Sequence, residues 1–394
     1  MFSYNYRKDL HMKFFHLSDL HIGLKLINRD LRKDQEYILN QVIRIAEREK
    51  PDAILIAGDI YDKAIPSAEA VEVFNHFITD LTMVLPKSTI MMVSGNHDSG
   101  PRIDCFRDVL SRQNLYMIGM PPQTEEALIE KIVLHDNYGS VCFYLLPFVK
   151  PSMVKQVVGT DENGNPFSYN ETIHKLIERE HIDSSERNVL VSHQFYLPVG
   201  KNPDEIERMD SEIKTIGNID EVSADILEKF DYAALGHIHK PMKVGSEYFR
   251  YCGTPLACSI SEAGQQKGII MVEMGKKGEE IKLSVLPLTP LRQVRIIQGE
   301  LNEVLKQACN DYVTIILTDQ IDFDVIDMPE QLRAAFPYLL EIKRNYIRRS
   351  DYTRKLDIQA ELDPFELCCE FLNDLDDREK EILKDVINTV QEVR

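Results

Sequence analysis

Thr89-Ile90-Met91-Met92-Val93-Ser94-Gly95-Asn96-His97-Asp98 is the stretch on which the fold turns. A near-continuous apolar run stops at a glycine, and an amide, an imidazole and a carboxylate follow it. A short apolar run of this kind reads as a strand covered on both faces, as in a parallel sheet. Its polar end then lies at the carboxyl end of the strand, where open α/β sheets collect their ligands. Four more polar motifs close apolar runs in the same way. They are Asp19-Leu20-His21 after residues 13–17, Gly58-Asp59-Ile60-Tyr61-Asp62 after 52–57, Ser192-His193-Gln194 after 189–191, and Gly236-His237-Ile238-His239 after 232–235.

Between the first three runs the apolar period changes to that of a helix. Residues 31–50 carry Leu31, Ile38, Leu39, Val42, Ile43, Ile45 and Ala46, and residues 67–85 carry Ala70, Val71, Val73, Phe74, Phe77, Ile78, Leu81, Val84 and Leu85. Alternating strands and helices predict βαβ units and a largely parallel inner sheet. Further strands are expected at 115–118, 132–134, 141–149, 248–252, 268–274 and 281–287, a helix at 171–180, and an exposed loop at 159–169. Beyond them, residues 295–343 read as a small strand–helix–strand–helix–strand module. In the tail, Asp363-Pro364-Phe365-Glu366 has the N-cap, the early proline and the third-position glutamate of a helix start.

At 394 residues the chain exceeds one ordinary domain. The expected division is an N-terminal extension at 1–11 with Met12 as an alternative start, a catalytic domain at 12–288, an α+β cap at 289–355 and a helical tail at 356–394. No run of 18 apolar residues is present, so no membrane span is expected. The seven scattered cysteines, without a CxxC pair, suit reduced thiols and a cytoplasmic location. A net charge of −18 argues against a protein that coats nucleic acid. Metal-ligating carboxylates and an acidic tail account for part of that charge without removing cations from a nucleic-acid face.

Asp19, His21, Asp59, Asn96, His193, His237 and His239 offer only oxygen and nitrogen donors. Within a strand, residues i and i+2 share a side, so Asp19 and His21 can reach one point. Seven donors exceed what one ion needs and suit two ions that share a carboxylate. The absence of thiolate favours manganese, iron or zinc over calcium or magnesium. Any single motif reads equally well as an ordinary Asp/Asn turn; five together do not. His16 lies inside an apolar run and reads as a structural histidine, and Asp98 reads as a turn residue.

The order DxH, GDxxD, GNHD, SH, GHxH resembles the binuclear metallophosphoesterase superfamily. Within it, residues 16–23 and 57–66, Asp311-Tyr312-Val313, Phe336-Pro337 and Asp363–Leu367 resemble SbcD-type nuclease subunits of bacterial SbcC–SbcD DNA repair complexes. The resemblance covers residues 12–394. It implies a metallophosphoesterase-type two-sheet β-sandwich flanked by helices, with a cap and a helical tail. It further implies that Asp19, His21 and His239 hold one ion, that Asn96, His193 and His237 hold the other, and that Asp59 bridges them. The ions, manganese by family habit, would activate water and polarise the phosphoryl group. His97 would face the scissile phosphate and Asp62 would orient it.

The resemblance implies an exonuclease with endonuclease activity on DNA ends and hairpins, active in repair, recombination and replication. The basic run Lys343-Arg344-Asn345-Tyr346-Ile347-Arg348-Arg349 would contact DNA from the cap. The tail would bind an SMC-like ATPase, and two copies of the chain would form a homodimer within a heterotetramer. A phosphoprotein phosphatase or small-molecule phosphodiesterase on the same site is the alternative. Against the phosphatase, Lys63-Ala64 stands where those enzymes carry arginine after the second motif.

Overall fold

The structure, a computed structural model, describes residues 11–201, 206, 208–212, 220–319, 328–344, 365, 368, 369, 372 and 376–392. They fall into two compact units. One runs to Glu212 and resumes from Asp220 to Arg295; the other continues from Ile296.

The first unit is a sandwich of two six-stranded sheets. In chain order the strands are β1 (Met12–Leu17), β2 (Ala53–Ala57), β3 (Thr89–Val93), β4 (Leu115–Ile118), β5 (Glu130–Asp136), β6 (Gly139–Leu146), β7 (Arg187–Ser192), β8 (Tyr232–Leu235), β9 (Met242–Val244), β10 (Ser246–Tyr251), β11 (Lys267–Met274) and β12 (Lys282–Leu288). One sheet has the order β12-β11-β1-β2-β3-β4, the other β9-β10-β8-β7-β6-β5. In the first, β1 to β4 are parallel, β11 pairs antiparallel with β1, and β12 pairs antiparallel with β11 at the edge. In the second, β6, β7, β8 and β10 are parallel, flanked by antiparallel β5 and β9.

Strand alternation assigns the two faces. Phe14, Leu55, Met91 and Val93 from one sheet pack with Phe143, Val189, Val191 and Ala234 from the other in a single apolar layer. Ile54, Ile56, Ile90 and Met92 point the opposite way and are as deeply buried. That is why these strands read as continuous apolar runs. On the outer face of the second sheet, Tyr144, Leu190 and Leu235 pack with Ile173, Leu176 and Ile177 of the helix at Tyr169–Glu178. Helix α1 (Arg32–Glu49) buries Ile38, Leu39, Val42 and Ala46, and ends with Lys50 in a left-handed conformation ahead of Pro51. Helix α2 (Ala68–Val84) starts where the Ser67 hydroxyl accepts the Ala70 N–H.

The expected strands and helices between residues 12 and 344 are present, with end shifts of a few residues. The 159–169 segment is a turn that leads directly into the helix at Tyr169. His16 is buried, with Nδ1 2.9 Å from the Tyr232 hydroxyl and Nε2 3.1 Å from the Leu235 carbonyl.

The second unit holds a three-stranded sheet made of Val294–Gly299, Tyr312–Leu317 and Leu339–Arg344. Val313, Ile315, Leu332 and Phe336 form its core. A helix spans Asp377–Glu392. No helix among the described residues is long and apolar enough to cross a membrane. Residues 1–10, Arg348, Arg349 and the Asp363-Pro364 helix start lie outside the described residues.

Candidate metal centre

The five motifs leave the carboxyl ends of β1, β2, β3, β7 and β8, three from one sheet and two from the other. Because these strands run parallel within each sheet, their ends meet at one edge of the sandwich. Asp19, His21, Asp59, His193, His237 and His239 are all buried there.

The side chains converge closely. His21 Nε2 lies 3.0 Å from His239 Nε2 and 3.6 Å from Asp59 Oδ2. Asp19 Oδ1 is 4.0 Å from both His239 Nε2 and His193 Nε2. His193 Nε2 stands 3.3 Å from Asp59 Oδ2 and 3.1 Å from Asn96 Oδ1, and the same amide oxygen is 2.9 Å from His237 Nδ1. Two groups in this volume have the spacing of ion ligands, Asp19–His21–His239 and Asp19–Asp59–His193. His21, Asp59 and His97 form a third such group, so the distances alone would also let His97 hold an ion.

The donor chemistry fits a cation. His193 Nδ1 lies 2.7 Å from the Ala57 carbonyl, so it carries the ring proton. Its Nε2 then meets two acceptors, Asn96 Oδ1 and Asp59 Oδ2. A proton on Nε2 satisfies this convergence, and so does a divalent ion. His21 Nδ1 is buried and has no hydrogen-bond partner among the described residues.

The electrostatics are those of a crowded, buried site. Burial pushes His21 well below the usual imidazole range, and burial with nearby Arg208 does the same to His237. Burial would lower His193 as well, but Asp59 outweighs it and raises the group to about 9. Burial raises Asp19 to about 6. It would also raise Asp59, but His193 and His97 hold that carboxyl well below the carboxylate range.

The backbone around these residues is unusual. Asp19, His21, Asp59 and His237 all have positive φ, at 52°, 42°, 49° and 97°. They are half of the eight non-glycine residues in that region among those described. Left-handed conformations cost about 1–3 kcal/mol each and persist only where surroundings enforce them. Here the first two motif loops pair: Asp19 N donates to Gly58 O, His21 N to Asp59 O and Ile22 N to Ile60 O. Asp59 Oδ1 accepts the His97 N–H and Asp19 Oδ1 the His237 N–H.

Three expectations change in detail. The His97 imidazole meets Asp62 through the main-chain oxygen, 2.9 Å from Nδ1, and not through the carboxylate. The Asp62 carboxylate instead lies 3.9 Å from His21 Nδ1. Gly95, the glycine at which the apolar run stops, serves close approach: a Cβ there would lie 2.0 Å from Asp59 Oδ1. Asp98 is a turn residue that also fastens one motif to another, since its carboxylate accepts the N–H groups of Ile60, Tyr61 and Gly95.

Arg208 and Glu262 are among the residues near the site that the sequence does not single out. Arg208 places its guanidinium 3.1 Å from His237 Nε2 and over the Phe195 ring; nothing local marks it. Glu262 approaches His239 from behind. Its signal was Lys267, a cation that opens a strand whose next five residues, 268–272, carry no charge. In the second unit, Lys343 and Arg344 end the last strand, exposed, with Lys343 Nζ 2.9 Å from Glu341.

The profile of the calcineurin-like phosphoesterases matches residues 12–241. The chain is similar to the SbcD component of the nuclease SbcCD from Staphylococcus epidermidis, 28% identical over 89% of this chain and 90% of that protein. Among solved structures it is similar to GAP50, the anchor in the inner membrane complex of Plasmodium, at 12% identity (85% of this chain, 97% of that one, TM-score 0.40). It is also similar to a dimetal phosphatase from Danio rerio at 11% identity (73% and 99%, TM-score 0.37). Scores this low leave both likenesses without bearing on activity. With more than half its length matched by that profile, and the motif residues gathered at one sheet edge, the chain belongs to the calcineurin-like phosphoesterases, hydrolases that use divalent metal ions.

Proposed function

We propose that this chain is a manganese-dependent DNA nuclease acting with an SMC-like ATPase. The observation that carries this reading is the convergence of seven oxygen and nitrogen donors in a chain similar over 89% of its length to a nuclease component. Asp19, His21 and His239 would hold one ion, Asn96, His193 and His237 the other, and Asp59 would bridge them. When bound, such ions supply a water activated for attack and charge stabilisation at the phosphoryl group.

The chain's own residues do the rest. The Asp62 carbonyl accepts the His97 Nδ1 proton, and Nε2 would then face the substrate. As an imidazolium, His97 would donate from Nε2 to a phosphoryl oxygen or to the leaving oxygen. Asp59 and Asp19 hold the His97 and His237 loops through their N–H groups. The catalytic domain would be 12–288. The cap at 289–355 would position DNA through Lys343, Arg344, Arg348 and Arg349, and the tail at 356–394 would bind the ATPase. Two such chains would form a homodimer within a heterotetramer, acting in the cytoplasm on DNA ends and hairpins.

The test is cleavage by metal-stripped, manganese-reloaded protein, alone and with its ATPase partner, on duplex DNA ends and on phosphopeptides in parallel. DNA cleavage is expected. Intact DNA with dephosphorylated peptide would replace the nuclease by a phosphatase. Deleting 356–394 is expected to abolish co-purification with the ATPase while manganese binding persists.

A further inference from the structure

Behind the metal-facing residues lies a charged cluster that is fully inside the first unit. Glu262 is 1% exposed and Lys267 6%. We propose that Glu262 is a positioning residue that acts through the Ser211 hydroxyl on His239, fixing that imidazole for one of the two ions, with Lys267 holding the carboxylate's charge in place. The inference rests on the metal-site reading above.

The chain of contacts is continuous. Ser211 Oγ lies 2.7 Å from His239 Nδ1 and donates its own proton to Glu262 Oε1 at 2.9 Å. The hydroxyl therefore accepts from His239 Nδ1–H. That sets the tautomer and leaves the Nε2 lone pair facing His21 and Asp19. His239 Nδ1 is also 3.7 Å from Glu262 Oε1 directly. Carboxylate backing of this sort orients a ligating imidazole and makes it a better donor.

Glu262 is itself held rigidly. Its Oε2 accepts from Thr254 Oγ1 at 2.8 Å and from Lys267 Nζ at 2.6 Å, and its Oε1 from the Cys258 N–H and the Ser259 hydroxyl at 3.1 Å. Lys267 directs its other protons to the His239 carbonyl and to Gln265 Oε1. The His239 N–H goes to Glu212 Oε1 at 2.9 Å. Backbone and ring of His239 are thus fixed by one network. The other histidines differ: His193 Nδ1 meets a carbonyl, His237 Nε2 meets Arg208, and His21 Nδ1 has no hydrogen-bond partner among the described residues. Cys258 and Glu262 lie within ligand distance of His239. The donors already on Glu262 make it a support and not a ligand.

The experiment measures manganese stoichiometry, stepwise affinity and the electron paramagnetic resonance signal of the metal-stripped full chain after titration. Ser211→Ala breaks the relay and leaves the Glu262–Lys267 pair intact. The double variant Glu262→Gln with Lys267→Met removes both buried charges together, since a lone buried lysine would itself destabilise the fold. Each is expected to weaken one ion by about 10- to 100-fold and leave the other unchanged, so that the signal of a coupled pair gives way to that of an isolated ion. Ser211→Thr, which keeps the hydroxyl, is expected to restore the pair. If Ser211→Ala and the double variant bind both ions as the parent does, or lose both equally, Glu262 is not a positioning residue. A parent protein that binds no divalent ion overturns the metal-site reading, and this inference falls with it. If the double variant does not fold, Ser211→Ala and Ser211→Thr still decide the question.

Discussion

His97 presents Nδ1 to the main-chain oxygen of Asp62 at 2.9 Å, which places the proton of the neutral ring on Nδ1. A carbonyl can only accept, so Nε2 is the atom left for chemistry. His97→Ala is expected to lower DNA cleavage by about 10²- to 10⁴-fold, the usual worth of a positioned acid or base, with manganese stoichiometry unchanged at two. Because the contact uses the Asp62 carbonyl, Asp62→Asn should cost far less than His97→Ala. A loss of one ion in His97→Ala would make His97 a ligand. Cleavage rates alongside equilibrium dialysis separate the two.

Asp98 accepts three backbone N–H groups, from Ile60, Tyr61 and Gly95, at 2.9–3.0 Å. It is the clamp between the loop that carries Asp59 and the loop that carries Asn96. Asn has one acceptor oxygen and turns its NH₂ toward the remaining donors. Each buried donor left unsatisfied costs about 1–3 kcal/mol. Asp98→Asn is expected to destabilise the protein by about that much in urea titration, and Asp98→Ala by more. Both should weaken manganese binding. Full manganese affinity in a destabilised Asp98→Ala protein would confine Asp98 to the fold.

His16 gives a pH dependence whose sign is fixed by its surroundings. Nε2 donates to the Leu235 carbonyl and Nδ1 accepts from the Tyr232 hydroxyl, so the neutral ring is satisfied. Burial lowers its pKa from 6.5 to about 3. The unfolded chain therefore takes up a proton below pH 6.5 that the folded chain refuses until about pH 3. Stability is at its full value above pH 6.5 and falls as pH drops through that window. The metal-site histidines also titrate, so the quantity to measure is the difference between parent and His16→Gln. The parent is expected to lose stability more steeply between pH 6.5 and 4, by up to one extra proton's slope, about 1.4 kcal/mol per pH unit. Parallel curves would show that His16 does not titrate in this window.

Burial and position could be read from the sequence; partnership could not. Thr89–Val93 and Ala53–Ala57 are covered on both faces, so their uninterrupted apolar character marks them as inner strands. Their polar ends then have only one sheet edge to occupy. The link from Glu262 through Ser211 to His239 joins three segments far apart in sequence, and no local pattern encodes that. Nor does a local pattern tell that Asp62 uses its carbonyl, because backbone oxygens carry no residue identity. The positive φ of Asp19, His21 and Asp59 goes with pairing between the first two loops, and that of His237 with the bond from its N–H to Asp19 Oδ1; these contacts join segments far apart in sequence, and no local pattern marks them.

Gly95 separates close approach from turn flexibility. A Cβ at this position would lie 2.0 Å from Asp59 Oδ1 and 2.4 Å from Asp59 N. A backbone atom cannot swing aside as a flexible side chain can, so Gly95→Ala must push the Asp59 loop away. Asp59 is the carboxylate proposed to bridge the ions, and its Oδ1 also holds the His97 N–H. The expected result is a cost of about 1–3 kcal/mol from overpacking, a loss of paired manganese binding and no detectable cleavage. Gly278→Ala is the control, because Gly278 has a φ of 85° with nothing within 4 Å of the added carbon. It should lose roughly 1 kcal/mol through its backbone alone and bind both ions normally. If Gly95→Ala behaves like Gly278→Ala, the approach of the two loops is not what holds Asp59 in place.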